Sequence, residues 1–270
     1  MSLTALRLDA DSPPHVLDTV SGDLTPGYKG GQAKAKAETE RLRDKLIELQ
    51  DRLYADGRHC LLVVLQAMDT GGKDGTIRRV FSGVNPAGVR MARFKGPTPI
   101  ELAHDFLWRV HAQAPEKGEI VIFNRSHYED VLTVRVNEFA PRHIWQKRYG
   151  HIRAFEQLLH DEGTTIVKFY LHIDRDEQRA RLQDRLDKPE KRWKFDAHDL
   201  DQRKFWPQYM EAFRDAIVET DREHAPWYVI PSNRKWYRDY AIMRILVDTL
   251  ERLDLRYPEG DFDPATVRVE

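Results

Sequence analysis

Cys60–Thr76, CLLVVLQAMDTGGKDGT, decides how the rest of the chain is read. Leu61 to Leu65 is a short, wholly apolar run, the pattern of a central parallel strand covered on both faces. Gly71, Gly72 and Gly75 follow and crowd around Lys73. Glycines let backbone N–H groups converge on an anion without Cβ clashes, and a helix beginning here points its positive end at the same place. Lys73 adds a mobile point charge suited to oxygens shared by two phosphates. The segment predicts a buried strand, a phosphate-binding turn and a helix over Thr76–Phe81.

Compared with the Walker A pattern, Ala67 stands at the first glycine and Asp74 at the hydroxyl position. Losing the hydroxyl removes a usual Mg²⁺ contact, for which the Asp69 carboxylate is a hard-oxygen replacement. Thr70, Gly71, Gly72, Asp74, Gly75 and Thr76 are the expected phosphate contacts around Lys73.

Working outward, the 270 residues suffice for one α/β domain with a substantial core. Hydrophobic residues make up 41% and charged residues 32%, while formal net charge is only -1, so any anion site must be a local cluster rather than a global field. The single cysteine, Cys60, excludes an internal disulfide and fits a reducing compartment. No apolar run approaches the ~20 residues of a membrane span, and nothing at the N-terminus reads as a secretory signal. A cytoplasmic location is expected.

Residues 1–32 read as irregular, punctuated by Ser12-Pro13-Pro14, Pro26-Gly27 and Gly30-Gly31. Ala33–Tyr54 reads as an amphipathic helix, with Leu42, Leu46, Leu49 and Leu53 at three- and four-residue spacing and Gly57 after its end. Four more strands are expected over Val89–Phe94, Glu119–Phe123, Thr164–Ile173 and Trp227–Ile230. Helices fill the gaps over Pro99–Gln113, His143–Leu159, Asp176–Leu186, His198–Thr220 and Arg234–Leu253. This alternation predicts a three-layer α/β/α fold with a parallel sheet of about five strands. Right-handed crossovers then gather the loops after the strands at one sheet edge, where ligands bind. The organisation expected is an irregular segment 1–32, one domain 33–254 with a lid at about 175–195, and a tail 255–270. Trp193, Trp206, Trp227 and Trp236 are expected to pack helices against the sheet. The eleven histidines show no metal-ligand spacing.

The third expected strand ends in Asn124-Arg125-Ser126-His127-Tyr128-Glu129-Asp130. Asn124 can reach a metal directly or through water, Glu129 and Asp130 can bind Mg²⁺ or accept a proton, and Arg125 can hold phosphate oxygens in its planar fork. With Asp69, Asn124 and Asp130 make the expected metal set. The same stretch also reads as a solvated helix start, Ser126 capping and Glu129 completing a capping box. In Arg175–Lys194, Arg181 and Arg185 lie four apart on one helix face with Arg175 near its start, and Pro189 breaks the helix into a flap. Such arginines neutralise charge on a transferred phosphoryl group, although a salt-bridged surface helix has the same composition. The acids mixed into this segment and the lack of a basic stripe elsewhere argue against nucleic acid.

Ala67–Thr76, Asn124–Glu129, the Arg181/Arg185 flap ending Pro189-Glu190-Lys191-Arg192-Trp193-Lys194-Phe195, and Pro226-Trp227-Tyr228-Val229-Ile230-Pro231 together resemble polyphosphate kinase 2, over about Tyr28 to Leu253. The resemblance implies a thymidylate-kinase-like phosphate-loop fold with a helical lid. It also implies phosphoryl transfer between inorganic polyphosphate and adenine or guanine nucleotides, Mg²⁺ with Mn²⁺ as a substitute, and a homo-oligomer, dimer or tetramer. By position, Asp69 and Lys73 match the family's first loop, Arg125, Glu129 and Asp130 its second motif, and Arg181 and Arg185 its lid. Many members that use nucleoside diphosphates carry Asp where this chain has Asn124; the present form resembles the subgroup that phosphorylates AMP as well as ADP. An ATP-dependent nucleoside or nucleotide kinase of the same fold, and a nucleotide-binding regulator without turnover, remain open at this point.

Overall fold

A computed structural model describes residues 7–8, 16–261 and 266–269. The Ser12-Pro13-Pro14 punctuation and part of the 255–270 tail lie outside the described residues. The chain begins with α1 (Val16–Thr19), α2 (Gln32–Asp56), β1 (Cys60–Gln66), α3 (Lys73–Val80), β2 (Val89–Arg93), α4 (Pro99–Leu102) and α5 (Trp108–His111). It continues through β3 (Ile120–Asn124), α6 (Thr133–Val136), α7 (Arg142–Asp161), β4 (Thr164–His172) and α8 (Arg175–Asp187). After a 3-10 segment, Pro189–Lys194, come α9 (His198–Lys204), α10 (Trp206–Thr220), β5 (Trp227–Pro231) and α11 (Lys235–Glu251).

The five strands form one parallel sheet in the order β2-β3-β1-β4-β5. Alternating side chains of β1 feed two cores: Leu62 and Val64 pack with α7 and α10, while Leu61, Val63 and Leu65 pack with α2 and α11. Burial on both faces is why this strand has no polar alternation. The three-layer arrangement is the one expected. The chain leaves β1 toward β2 but leaves β4 toward β5, so the crevice beyond the carboxyl ends of β1 and β4 stays open for a ligand.

Several boundaries differ from the sequence reading, each for a local reason. The helix expected over Pro99–Gln113 is two short pieces. Thr98 and Glu101 form a capping box for the first, and the Asp105 carboxylate then accepts from Leu107 N at 3.0 Å ahead of the second. The helix expected over His198–Thr220 breaks at Phe205, because Pro207 lacks an N–H and disfavours helical backbone before it. The helix after the phosphate loop starts at Lys73, not Thr76. One turn, α1, interrupts the segment expected to be irregular and buries Leu17. Trp206 and Trp227 are buried and Trp236 is partly buried, as expected, but Trp193 is 79% exposed on the lid.

Candidate active site

The loop between β1 and α3 turns on two residues of left-handed backbone, Gly72 at φ 104° and Thr70 at φ 63°. A β-branched residue rarely adopts this conformation, and its neighbours must hold it there. Arg181 Nη1 donates to Thr70 O at 3.0 Å, Gln178 Nε2 donates to Asp69 O at 3.1 Å, and Gly71 N donates to Met68 O at 2.9 Å. Helix α8 thus clamps the loop from outside. Lys73 curls back so that Nζ donates to Ala67 O at 2.9 Å. Burial, and then the nearby Arg125 guanidinium, push its pKa down. A bound phosphate would favour the charged form.

Beside this loop, β3 ends at Asn124, and Arg125 follows it. Arg125 has φ 61°, and its backbone N donates to Leu65 O at 3.2 Å. Its guanidinium donates to Asp69 at 2.7 Å and lies 3.6 Å from Glu129. Asn124 Nδ2 donates to Asp74 Oδ1 at 2.6 Å, with Arg93 3.8 Å from the same oxygen. The second motif is therefore stitched to the first loop through two carboxylates, Asp69 and Asp74.

These residues wall a cavity of about 410 Å³. Of the residues expected at the site, it gathers Asp69, Thr70, Gly71, Gly72, Lys73, Asp74, Gly75, Asn124, Arg125, Arg181 and Arg185. It does not gather four others. Arg175 is exposed at the outer start of α8, away from the cavity. Thr76 is fully buried behind the loop. Glu129 supports Arg125 and accepts from Thr133 Oγ1 at 2.6 Å instead of lining the cavity, and it does not complete a capping box with Ser126, which accepts from Tyr128 N. Asp130 faces Arg148 of α7 at 2.8 Å. The expected metal set of Asp69, Asn124 and Asp130 therefore does not converge, and among the described residues no three His, Cys, Asp or Glu side chains form a metal cluster.

The two expected lid arginines share the cavity wall but have different tasks. Arg181 also donates to Ser232 O at 2.6 Å and to Glu177 at 2.6 Å, tying the loop to the segment after β5. Arg185 donates to Lys194 O at 2.8 Å and to Asp199 at 3.0 Å, fixing the 3-10 segment over the cavity. Sequence reasoning missed Arg78, Arg79, Arg93, Lys95, Lys235 and Arg238, which all line it. One signal was present: the first turns of α11 carry Lys235 and Arg238 after Arg234, with no acid in the first turn, where the helix dipole disfavours cations unless an anion is near.

Behind the second motif, His127 and Tyr128 enter a buried polar network. Lys168 Nζ donates to Glu156 at 2.5 Å, to Tyr128 OH at 2.9 Å and to Thr220 O at 2.9 Å. Tyr128 OH lies 2.8 Å from Glu156, and His127 Nε2 lies 3.3 Å from the same carboxylate. Burial pushes Glu156 up, but the Lys168 ammonium and His127 together outweigh it and leave the carboxyl below its ordinary value.

Two carboxyls at the edges of the site are raised from the ordinary 3.8 to about 6, mainly by burial: Asp130, against the pull of Arg148, and Asp199, with the Asp69 charge adding to the effect. A raised carboxyl holds its proton more tightly folded than unfolded. The stability it lends is full below about pH 4 and is lost as pH rises through about 6. Replacing Asp130 with asparagine is expected to flatten the plot of melting temperature against pH between about 4 and 7. Parallel plots for parent and variant would rule out this titration.

Known proteins share this fold. Residues 30–258 match the family described as Polyphosphate kinase 2 (PPK2). The chain belongs to the polyphosphate kinase 2 family. It is 58% identical over 248 residues to a Meiothermus ruber protein named AMP/ADP-polyphosphate phosphotransferase, covering 92% of this chain and 93% of that one. It is 46% identical over 236 residues to a Rhodopseudomonas palustris protein named ADP-polyphosphate phosphotransferase, covering 83% and 80%. The crystal structure of polyphosphate kinase 2 from Arthrobacter aurescens TC1 superposes with a TM-score of 0.94 at 43% identity, covering 98% of this chain and 94% of that one.

Proposed function

We propose that this chain transfers a phosphoryl group between inorganic polyphosphate and AMP or ADP, forming ADP or ATP. The observation that carries the reading is the charge of the cavity: twelve Lys and Arg side chains against Asp69, Asp74 and Asp184, in a chain of net charge -1. Such a surplus, set on a strand-to-helix phosphate loop, suits two polyanions meeting end to end. The relatives' names supply the substrate classes.

In the transfer, an oxygen of the nucleotide's terminal phosphate bonds to the end phosphorus of polyphosphate as the anhydride bond behind it breaks. The shortened chain leaves with that electron pair. The acceptor oxygen is already ionised near neutral pH, so no strong base is required. Lys73 and the loop amides hold phosphate oxygens, Arg125 spans toward the acceptor, and the Arg185-pinned lid excludes water. Asp69 and the Asn124 carbonyl offer hard oxygens at the cavity wall. The lack of a carboxylate cage suits Mg²⁺, or Mn²⁺ in its place, which keeps waters and takes most ligands from phosphates. When bound, it would neutralise charge on the bridging oxygens. The same reading includes a single catalytic unit over 33–254, an assembly of identical subunits, and a cytoplasmic location supported by the lone buried Cys60; no helix among the described residues is long and apolar enough to cross a membrane.

Incubation with AMP or ADP, Mg²⁺ and polyphosphate, with ATP as the alternative donor, tests the proposal. Product from polyphosphate supports it; product from ATP alone favours an ordinary nucleotide kinase, and no product favours a regulator.

Acceptor choice is expected to depend on Asn124. Its amide donates to Asp74, so Asn124→Asp sets two carboxylates face to face. Two unit charges ~4 Å apart at an effective dielectric of ~20 repel by about 4 kcal/mol. If screening leaves a quarter of that acting on the acceptor phosphate, the specificity constants shift about fivefold from AMP, whose single phosphate must reach deepest, toward ADP. Steady-state rates for both acceptors at matched free Mg²⁺ check this, and an unchanged ratio would remove the electrostatic account.

A further inference from the structure

Asp239, near the start of α11, is almost fully buried and holds two guanidinium groups at once. Its Oδ2 accepts from Arg79 Nε at 2.5 Å, and its Oδ1 accepts from Arg238 Nε at 3.0 Å and Nη2 at 2.7 Å. Arg79 comes from the last turn of α3 and Arg238 from α11, so one carboxylate ties the helix after the phosphate loop to the helix after β5. The remaining nitrogens point at the loop. A Cβ on Gly72 would collide with Arg238 Nη1, and one on Gly75 would lie 3.3 Å from Arg79 Nη2. Bare backbone at Gly72 is needed for Arg238 to approach, while at Gly75 Arg79 would have to give by a few tenths of an ångström. Arg238 is 1% exposed yet lines the cavity, which it shares with Lys235 and Arg181.

Strand order sets these groups at one end of the shared cavity. Arg93 and Asn124 stand at the ends of β2 and β3, on one side of β1. Arg79, Arg238 and Lys235 gather on the other side, toward β5 and α11. One carboxylate cannot neutralise two guanidiniums, so the trio keeps a positive charge fixed in direction. Cations in the first turns of α11 also oppose its dipole, a cost that a bound anion removes.

From this we infer that Asp239 is a positioning residue that presents Arg79 and Arg238 as a fork for the polyphosphate donor, leaving the β2–β3 side of the cavity to the nucleotide. The inference rests on the polyphosphate reading above. Pre-set guanidiniums give paired, charge-assisted bonds to phosphate oxygens without ordering long side chains at the moment of binding.

The test measures kcat, both KM values and melting temperature for Asp239→Asn and Arg79→Lys. Arg79→Lys leaves the Asp239–Arg238 pair whole, which keeps the test open should Asp239→Asn fail to fold. Expected for each is a rise of about tenfold in KM for polyphosphate, with KM for AMP changed by less than about twofold. Asp239→Glu is expected to recover part of the loss. Equal changes in both KM values, or a lower melting temperature with KM for polyphosphate unchanged, would overturn the inference and leave the trio as a fold-stabilising contact. If the parent proves to use ATP instead of polyphosphate, the substrate reading fails by itself. The fork is then judged on KM for ATP, a selective rise supporting it and an unchanged value overturning it.

Discussion

Replacing Lys73 with alanine is expected to lower kcat/KM by on the order of 100-fold or more, as is Asp69→Asn, each removing one preorganised electrostatic group. Lys73 is positioned before substrate arrives, because its bond to Ala67 O keeps the ammonium over the loop. Burial disfavours its charge and pushes its pKa down, and phosphate oxygens placed beside it would favour the ammonium form. Asp69→Asn acts twice: it removes a hard-oxygen ligand, and it loosens Arg125, whose guanidinium lies 2.7 Å from that carboxylate. Neither residue belongs to either apolar core, so both variants should melt within a few degrees of the parent. Near-parent turnover in both at saturating Mg²⁺ would defeat the assignment of this loop to the chemistry.

Lys168→Met is expected to have the largest effect on stability. The Lys168–Glu156 pair is fully buried, and removing one partner leaves the other charge without compensation, a loss of about 3–5 kcal/mol. For a chain of this size, that corresponds to roughly 6–20 °C in melting temperature. The double variant Lys168→Met with Glu156→Gln should recover much of the loss, since no lone charge remains. The network also holds His127 and Tyr128, which support the turn carrying Arg125 and Glu129, so Lys168→Met should lower turnover even well below its melting point. An unchanged melting temperature for the single variant would show that the pair carries little net stability.

The central strands were legible because burial on both faces leaves an unmistakable apolar run, as in Leu61 to Leu65. The phosphate loop was legible because glycines around a lysine have few other uses. The acids after β3 were less so. His127–Asp130 is a 3-10 turn, in which successive side chains point about 120° apart. Two adjacent carboxylates therefore diverge, Glu129 toward Arg125 and Asp130 toward Arg148, and no spacing rule distinguishes them. The same turn sends His127 and Tyr128 into the core, although they look chemically active in the sequence. Arg79 and Arg238 are 159 positions apart and meet only through Asp239, so their pairing belongs to tertiary structure alone. Trp193 shows the converse: its size suggested burial, but on the exposed lid its ring meets Lys194 of the same segment and its Nε1 donates to Glu190 O at 3.1 Å.

The charge of the cavity has a consequence for the outside of the molecule. Twelve cations and three acids line it, while the whole chain sums to -1, so the rest of the chain carries ten more negative charges than positive ones. A long polyanion drifting toward the protein is repelled from most directions and drawn to a single mouth. Encounter is then steered, and the association rate should fall steeply as added salt shortens the reach of the field, before the grip inside the cavity weakens much. The near-neutral total conceals a strongly polarised particle.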